Sequence, residues 1–222
     1  MSRYVMPAVL SGFLERFPGV GVEIHVEYPE PMFSGLLRNS LDVMCYINIP
    51  TISGITVETL CEEPLVVVVS SGHPLASQRR VTGAQLTAYP FIAPTSPSLR
   101  ALLESKLRGA GVIPRLAAEA RHADAIKKLV ERGMGYSPII RSAVAEEVTS
   151  GRLVALKLVG PPLHVELVAA YQSRPVISSL VRTFIDFVRA ELRAQARALT
   201  TGPPARVVVR DRPVGYPGRK PR

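Results

Sequence analysis

The stretch VERGMGYSPIIRSAV, residues 130–144, crowds two glycines, a proline and an apolar run into one short segment. On its N-terminal side Ala125, Ile126, Leu129 and Val130 share one helical face, which leaves Lys127, Lys128, Glu131 and Arg132 for solvent. Gly133 supplies the left-handed residue that stops such a helix, Gly135 keeps the turn tight, and residues 136–140 read as a buried strand. Ser142 is placed to cap a following helix, with Glu146 and Glu147 near its positive end. Helix, strand and helix in immediate succession make an αβα corner of a doubly wound sheet, where strand ends and helix starts form a crevice for a ligand.

The same rhythm extends outward. Strands over residues 89–93, 115–120, 136–140 and 153–158 alternate with helices over 99–110, 124–132 and 143–149, the pattern of a mostly parallel sheet with crossover helices. Residues 164–171 give a further strand. Ile177, Val181, Phe184, Ile185, Val188 and Leu192 then trace the apolar stripe of a terminal helix. Toward the N-terminus, Val9, Phe13 and Phe17 recur at helical spacing after Pro7. Strict alternation over residues 20–26 predicts an edge strand with one wet face. A short helix fits residues 32–38, and LDVMCYI, residues 41–47, reads as a strand covered on both faces at a sheet centre. Residues 55–60 and 65–70 are two more strands, and the polar SSGHPLASQRR, residues 70–80, marks a boundary between two units.

At 222 residues, 47% of them apolar, the chain can bury one α/β domain or two small lobes. Runs such as LVVVV, residues 65–69, are far too short to cross a bilayer, and the first residues lack the apolar core of an export signal, so a soluble cytoplasmic protein is expected. Cys45 and Cys61 have neither CxxC nor Cys/His spacing and are expected as buried reduced thiols, with no metal and no cofactor. The net charge of +9 invites a nucleic-acid reading, but +5 of it lies in residues 206–222. That Pro/Gly-rich end, from residue 196, reads as a disordered solvated tail.

The motifs FLERFPGVGVEIHV, LDVMCYI, EEPLVVVVSSGHPLA, TSPSLRALLE, DAIKKLVERGMGYSPIIRSAV and SGRLVALKL followed by FIDFVRAEL stand in an order that resembles the effector-binding domain of LysR-type transcriptional regulators. The resemblance covers about residues 4–192. It implies two Rossmann-like lobes of type II periplasmic-binding-protein architecture, one from residues 1–70 and 164–195, the other from 71–163. Residues 65–70 and 164–171 are then the crossover strands, and the last helix returns to the first lobe. It further implies a small-molecule effector between the lobes, no catalysis, and dimers through residues 20–26 and the helix before them. Mixed oligomers with a full-length regulator are also implied, with DNA reached only indirectly through a helix-turn-helix that this sequence does not contain. Two features depart from the pattern. The first lobe's opening strand is expected to be missing, with ARVVVR, residues 205–210, a candidate to fill its place, and Ile140 stands where the family's corner usually ends in proline. A solute-binding protein of a transporter shares the architecture but needs an export signal.

Ser96 before Pro97 reads as an N-cap and first helical residue, gathering the Thr95, Ser96 and Ser98 hydroxyls at a positive helix end. Plain capping and an anion cradle both fit that spacing, and the resemblance favours the cradle. Arg121 and His122 open the next helix, where Arg121 could hold an acidic effector bidentately or pair with Asp124. Arg100 is either a cleft residue or the partner of a nearby acid. Tyr46 and Asn48, just past the first lobe's central strand, either line the facing wall or pack as ordinary loop residues. Histidines 25, 73, 122 and 164 are scattered, and no GxSxG, Walker A or HExxH motif is present.

Overall fold

A computed structural model describes residues 6–26, 29–78, 80–174 and 177–201, with side chains through residue 194. The termini, including ARVVVR and the tail beyond residue 201, lie outside the described residues. One strand organises the rest. β2 (Ile55–Ser70) runs sixteen residues without a break, uniting the two strands read separately in the sequence. Pro64 does not end it, because the residues on either side are paired to different neighbours.

The first half of β2 pairs antiparallel with β7 (His164–Gln172) from Ile55↔Gln172 to Pro64↔His164, with a bulge between Thr59 and Cys61. β7 in turn pairs with β1 (Met44–Ile47). Successive residues of β7 face opposite layers, as the pleat requires. Ala169 packs into the core beside Ile185, Val188 and Leu192 of α7 (Ser179–Thr201), whereas Ala170 packs with Leu36 of α2 (Pro29–Leu37), Met44 and Ile55. α1 (Met6–Arg16) lies on α7 through Phe13, whose ring sits 5.1 Å from that of Phe184 and 5.4 Å from that of Phe187, both edge-on. The terminal helix thus returns to the N-terminal part of the chain. It is held there by Glu58 on β2, whose carboxylate meets Arg182 at 2.8 Å, Arg189 at 2.6 Å and the Tyr171 hydroxyl at 2.5 Å.

The second half of β2, residues 65–70, serves another sheet. It pairs antiparallel with β5 (Ser137–Ile140) on one side and β6 (Leu153–Leu156) on the other. Beyond β5 a parallel bridge, Phe91↔Tyr136, leads to β3 (Pro90–Pro94), and β3 pairs parallel with β4 (Arg115–Ala120). Helices α3 (Gly83–Thr87), α4 (Pro97–Gly109), α5 (Ala123–Glu131) and α6 (Ala145–Thr149) connect and cover these strands. The β3–α4–β4–α5–β5 rhythm matches the sequence reading.

Several expectations need correction. The four strands β3 to β6 run in one direction as read, and β2 is the addition, entering against β5 and β6. β1 is an edge strand among the described strands, not a central one. Among the described residues, 20–26 are extended and pair in no ladder, and Ile24 and Val26 are 54% and 56% exposed. Alternation creates a two-faced segment, but only a neighbour's backbone makes it a strand. Ser142 does not cap α6. It sits in a 3-10 turn (Arg141–Val144), and its side chain hydrogen-bonds the buried Glu63. Lys127 is buried and Ala125 exposed, the reverse of the helical-face reading, because the turn after β5 and α6 cover that flank of α5.

The opening stretch folds as read at its glycines. Gly133 ends α5 at φ +77°, and Gly135 adopts φ +146° with its α-carbon against the Pro90 carbonyl, where a β-carbon would clash. That close approach lets Tyr136 donate its N–H to Pro90 at 2.9 Å and accept from Ile92 N–H at 2.9 Å, stitching β5 beside β3.

Candidate functional site

A cavity of about 250 Å³ opens where the two sheets meet around β2. One wall comes from the β1 side, with Cys45, Tyr46 and Ile47, together with Met32 of α2 and His25 and Val26 of the extended segment. The other wall comes from the ends of β3, β4 and β5 and the starts of α4 and α5: Pro94, Ser96, Leu99, Arg121, His122, Ala123 and residues 137–140. Leu65 on β2 and Val165 on β7 form the floor between them. Strand ends and helix starts therefore face a shared gap, the location that chain topology favours for ligands in open α/β sheets.

The two helix starts differ. Ser96, 7% exposed, is the N-cap of α4, and its hydroxyl accepts from Leu99 N–H at 3.5 Å and lies 3.2 Å from the Ser98 hydroxyl. That helix end is served by its own side chain. α5 has His122 at the N-cap position, which makes no side-chain cap, so the positive end of α5 meets the cavity through backbone groups. Asp124 in its first turn stands 3.4 Å from the Lys127 ammonium, which offsets the negative charge there.

Ser137 was missed in the sequence. Its side chain is 1% exposed, lines the cavity, and has no hydrogen-bond partner among the described residues. A buried hydroxyl left unsatisfied costs about 1–3 kcal/mol, so such a group marks a place for a ligand atom or a water. The signal available beforehand was slight: Ser137 is the one polar residue between Tyr136 and Ile140.

Buried charge holds this wall in place. Lys127 donates to Glu147 at 2.7 Å and to the Ala143 carbonyl at 3.1 Å, tying α5 to the turn after β5 and to α6. Both ends of that tie touch the cavity, through Ile126 on α5 and through Ala143 itself. Glu63, 2% exposed, lies on β2 where it passes from one sheet to the other. Burial pushes its carboxyl above the usual range despite the hydrogen bond from Ser142. Burial also raises Cys45 to about 12 and Cys61 to about 11, so both thiols stay protonated at neutral pH and the Cys45 wall is not nucleophilic.

Of the residues read from sequence, Ser96, Arg121, His122 and Tyr46 line this cavity. Ser98 and Asn48 line a neighbouring space of about 140 Å³, together with Tyr46. Asn48 is also engaged structurally, adopting φ +44° and accepting from Glu166 N–H at 3.1 Å. Thr95 is exposed beside α4 and donates its N–H to the Ala120 carbonyl at 3.2 Å. Arg100 pairs with Glu119 at 2.6 Å across α4 and β4 and is not among the lining residues, which favours its reading as the partner of an acid.

The family model for the LysR substrate binding domain matches residues 1–193. The chain belongs to the LysR substrate binding domain family. It is 28% identical over 190 residues to the RuBisCO operon transcriptional regulator of Acidithiobacillus ferrooxidans, covering 85% of this chain and 62% of that protein. It is 26% identical over 189 residues to the HTH-type transcriptional activator CmpR of Synechocystis, covering 85% and 62%. The chain thus spans about three fifths of the length of these curated relatives. Among solved structures, the regulatory domain of CcmR from Synechocystis PCC6803, determined in complex with 2-PG, superposes with a TM-score of 0.75 at 23% identity, covering 85% of this chain and 91% of that one. HinK, a LysR family transcriptional regulator from Pseudomonas aeruginosa, gives 0.76 at 24% identity, covering 86% of this chain and 67% of that one. The fold is the two-lobed α/β arrangement of LysR regulatory domains. Among the described residues no helix is long and apolar enough to cross a membrane, and no cluster of three His, Cys, Asp or Glu side chains is placed to hold a metal.

Proposed function

We propose that this chain is the effector-sensing part of a LysR-type transcriptional regulator acting in the cytoplasm. A small anion enters the cavity between a lobe of residues 1–70 and 164–195 and a lobe of residues 71–163. The observation that carries this reading is the unpartnered Ser137 hydroxyl, buried in a cavity whose walls come from both sides of β2. Arg121, His122 and the start of α5 supply positive potential and donors to an oxyanion, and Ser137 donates from below. Ser96 and the Thr95–Ser98 turn flank the seat, while Tyr46 meets the ligand from the facing wall. Asn48 shapes the loop behind Tyr46.

A ligand that touches both walls favours the closed arrangement by as much as its contacts differ between open and closed. The changed lobe angle is then passed to partner subunits, identical or full-length, and through them to DNA. The single uninterrupted β2, shared by both sheets, makes the lobes' relative angle a small number of backbone degrees of freedom. The test is small-angle X-ray scattering with a compound that raises the melting temperature. The radius of gyration should fall on saturation, and Arg121→Ala should abolish the change at the same ligand concentration. A bound protein with unaltered scattering would overturn the closure mechanism. The family relationship and this cavity favour the regulator over the solute-binding alternative.

A further inference from the structure

We infer that Glu63 is a proton-linked element of the hinge: the lobes close over it with its carboxyl neutral, and they part to hydrate it once it is ionised. This rests on the two-lobe closure proposed above. Glu63 stands on β2 two residues before Leu65, where the strand stops pairing with β7 and starts pairing with β5. Alternation puts Cys61, Glu63 and Leu65 on the buried face of β2, with Glu62 and Pro64 exposed on the other. Val165, the residue of β7 opposite Glu63, forms the cavity floor together with Leu65. That register sets the carboxyl beside the floor without making it part of the lining. The turn after β5 completes its surroundings: Ser142 hydrogen-bonds the carboxyl, and the adjacent Ala143 lines the cavity. One carboxyl thus joins the strand shared by both lobes to a turn of the second lobe.

Glu63 is 2% exposed, and its Oε2 has no hydrogen-bond partner among the described residues. An ionised carboxylate there keeps one oxygen dry and unmatched, which costs far more than the neutral acid does. The groups around it do not remove that cost. Cys61 on the same face is itself kept neutral by burial, and Glu62, His164 and Glu166 stand exposed on the opposite face. Arg193 of α7 is bonded to the Leu60 carbonyl, and Lys127, at the turn, is paired with Glu147. Burial raises the carboxyl by more than the Ser142 hydrogen bond and the amino-terminal charge lower it. Parting the lobes brings water to the floor and hydrates the carboxylate. The closed form is therefore favoured below the ordinary carboxylate value, and the open-to-closed ratio climbs as pH rises from there through the raised one. Closure takes up a proton at Glu63 in that window, so effector binding that needs closure weakens as the pH rises.

The experiment is amide hydrogen exchange of the whole chain without ligand, read by NMR from about pH 5 to about pH 8 and corrected for the intrinsic rate at each pH. The hinge reporter is the Leu65 N–H, which donates to the Leu163 carbonyl at 2.9 Å across the two crossover strands. The Ile92 N–H, donated to Tyr136 inside the second lobe, reports unfolding of the body. The expected result is that Leu65 exchanges faster than Ile92 and that its opening ratio rises with pH by up to about tenfold per unit, whereas in Glu63→Gln it stays flat. Ser142→Ala removes a bond that favours the charged form and should carry the rise to higher pH. A wild-type ratio that does not change with pH, or that changes equally in Glu63→Gln, overturns the inference. So does a Leu65 amide that exchanges only as fast as Ile92, since the opening is then global. If Glu63→Gln does not fold, Ser142→Ala decides: a rise that ends at the same pH as in wild type overturns the assignment to Glu63. Closure by a ligand is judged separately by the scattering measurement, so the two readings fail on different results.

Discussion

Removing the Lys127 ammonium should cost this protein far more than a surface lysine would. Its side chain is 5% exposed and that of Glu147 11% exposed, with 2.7 Å between their charged atoms. In Lys127→Met the Glu147 carboxylate keeps, among the described residues, Arg152 at 4.0 Å, and the Ala143 carbonyl loses its Lys127 donor. Breaking one partner of a buried pair costs about 3–5 kcal/mol, and the residual Arg152 contact places this case near the lower end, roughly 3 kcal/mol. For a domain of this size that is a fall in melting temperature of roughly 6–12 °C. Replacing both partners, Lys127→Met with Glu147→Leu, removes the stranded charge and should recover most of the loss. Urea unfolding followed by circular dichroism, run on both single variants and the double, reads the coupling directly. A Lys127→Met protein as stable as wild type, or a double variant no better than the worse single, would refute the claim that this pair fastens α5 to the turn after β5.

Other outcomes follow from neighbouring geometry. Gly135→Ala should destabilise by about 2–4 kcal/mol, since φ +146° strains an L-residue and the β-carbon meets the Pro90 carbonyl; a loss below that in chemical denaturation would show the turn can relax. Glu63 is raised in the folded state, so the native protein binds its proton more readily than the unfolded chain. Stability should therefore decline as pH rises from the ordinary carboxylate value through the raised one, and Glu63→Gln should be the more stable protein at neutral pH, the difference closing in acid. At Glu58 burial alone would raise the carboxyl, but the hydrogen bonds from Tyr171, Arg182 and Arg189 outweigh it and hold it low. Its stabilising share is present above the ordinary value and lost as pH falls through the lowered one, so Glu58→Gln should flatten the acid limb of a melting-temperature profile. Ser137→Ala should leave the free protein equally stable or about 1 kcal/mol more stable while weakening ligand binding, a pairing of signs that a purely structural residue would not give.

The helix starts were legible because their information is local. Ser-Pro at residues 96–97 announces a cap and a first turn by chemistry within four residues, and Arg121 and His122 follow from where β4 must end. The glycines at 133 and 135 likewise declared a turn that only glycine can make. What depended on a neighbour distant in sequence was not legible. Lys127 lies on the boundary of the apolar face of α5, and its burial is decided by Glu147 and Ala143, which arrive later in the chain. Ser137 lies within an apolar run, and the side to which it points is set by the register of β5 against Val68. Residues 20–26 carry a strand pattern, yet pairing belongs to two segments rather than one. The order β1-β7-β2 is equally nonlocal, which is why a short apolar run was read as central when it stands at an edge among the described strands.

Hydrogen–deuterium exchange of the whole chain, with and without a compound that binds it, tests the shared cavity most directly. The account predicts simultaneous protection at β1 and the following loop on one wall and at residues 121–126 and 137–140 on the other. Protection confined to one wall, or appearing over α1 and α7 with the cavity unchanged, would contradict it.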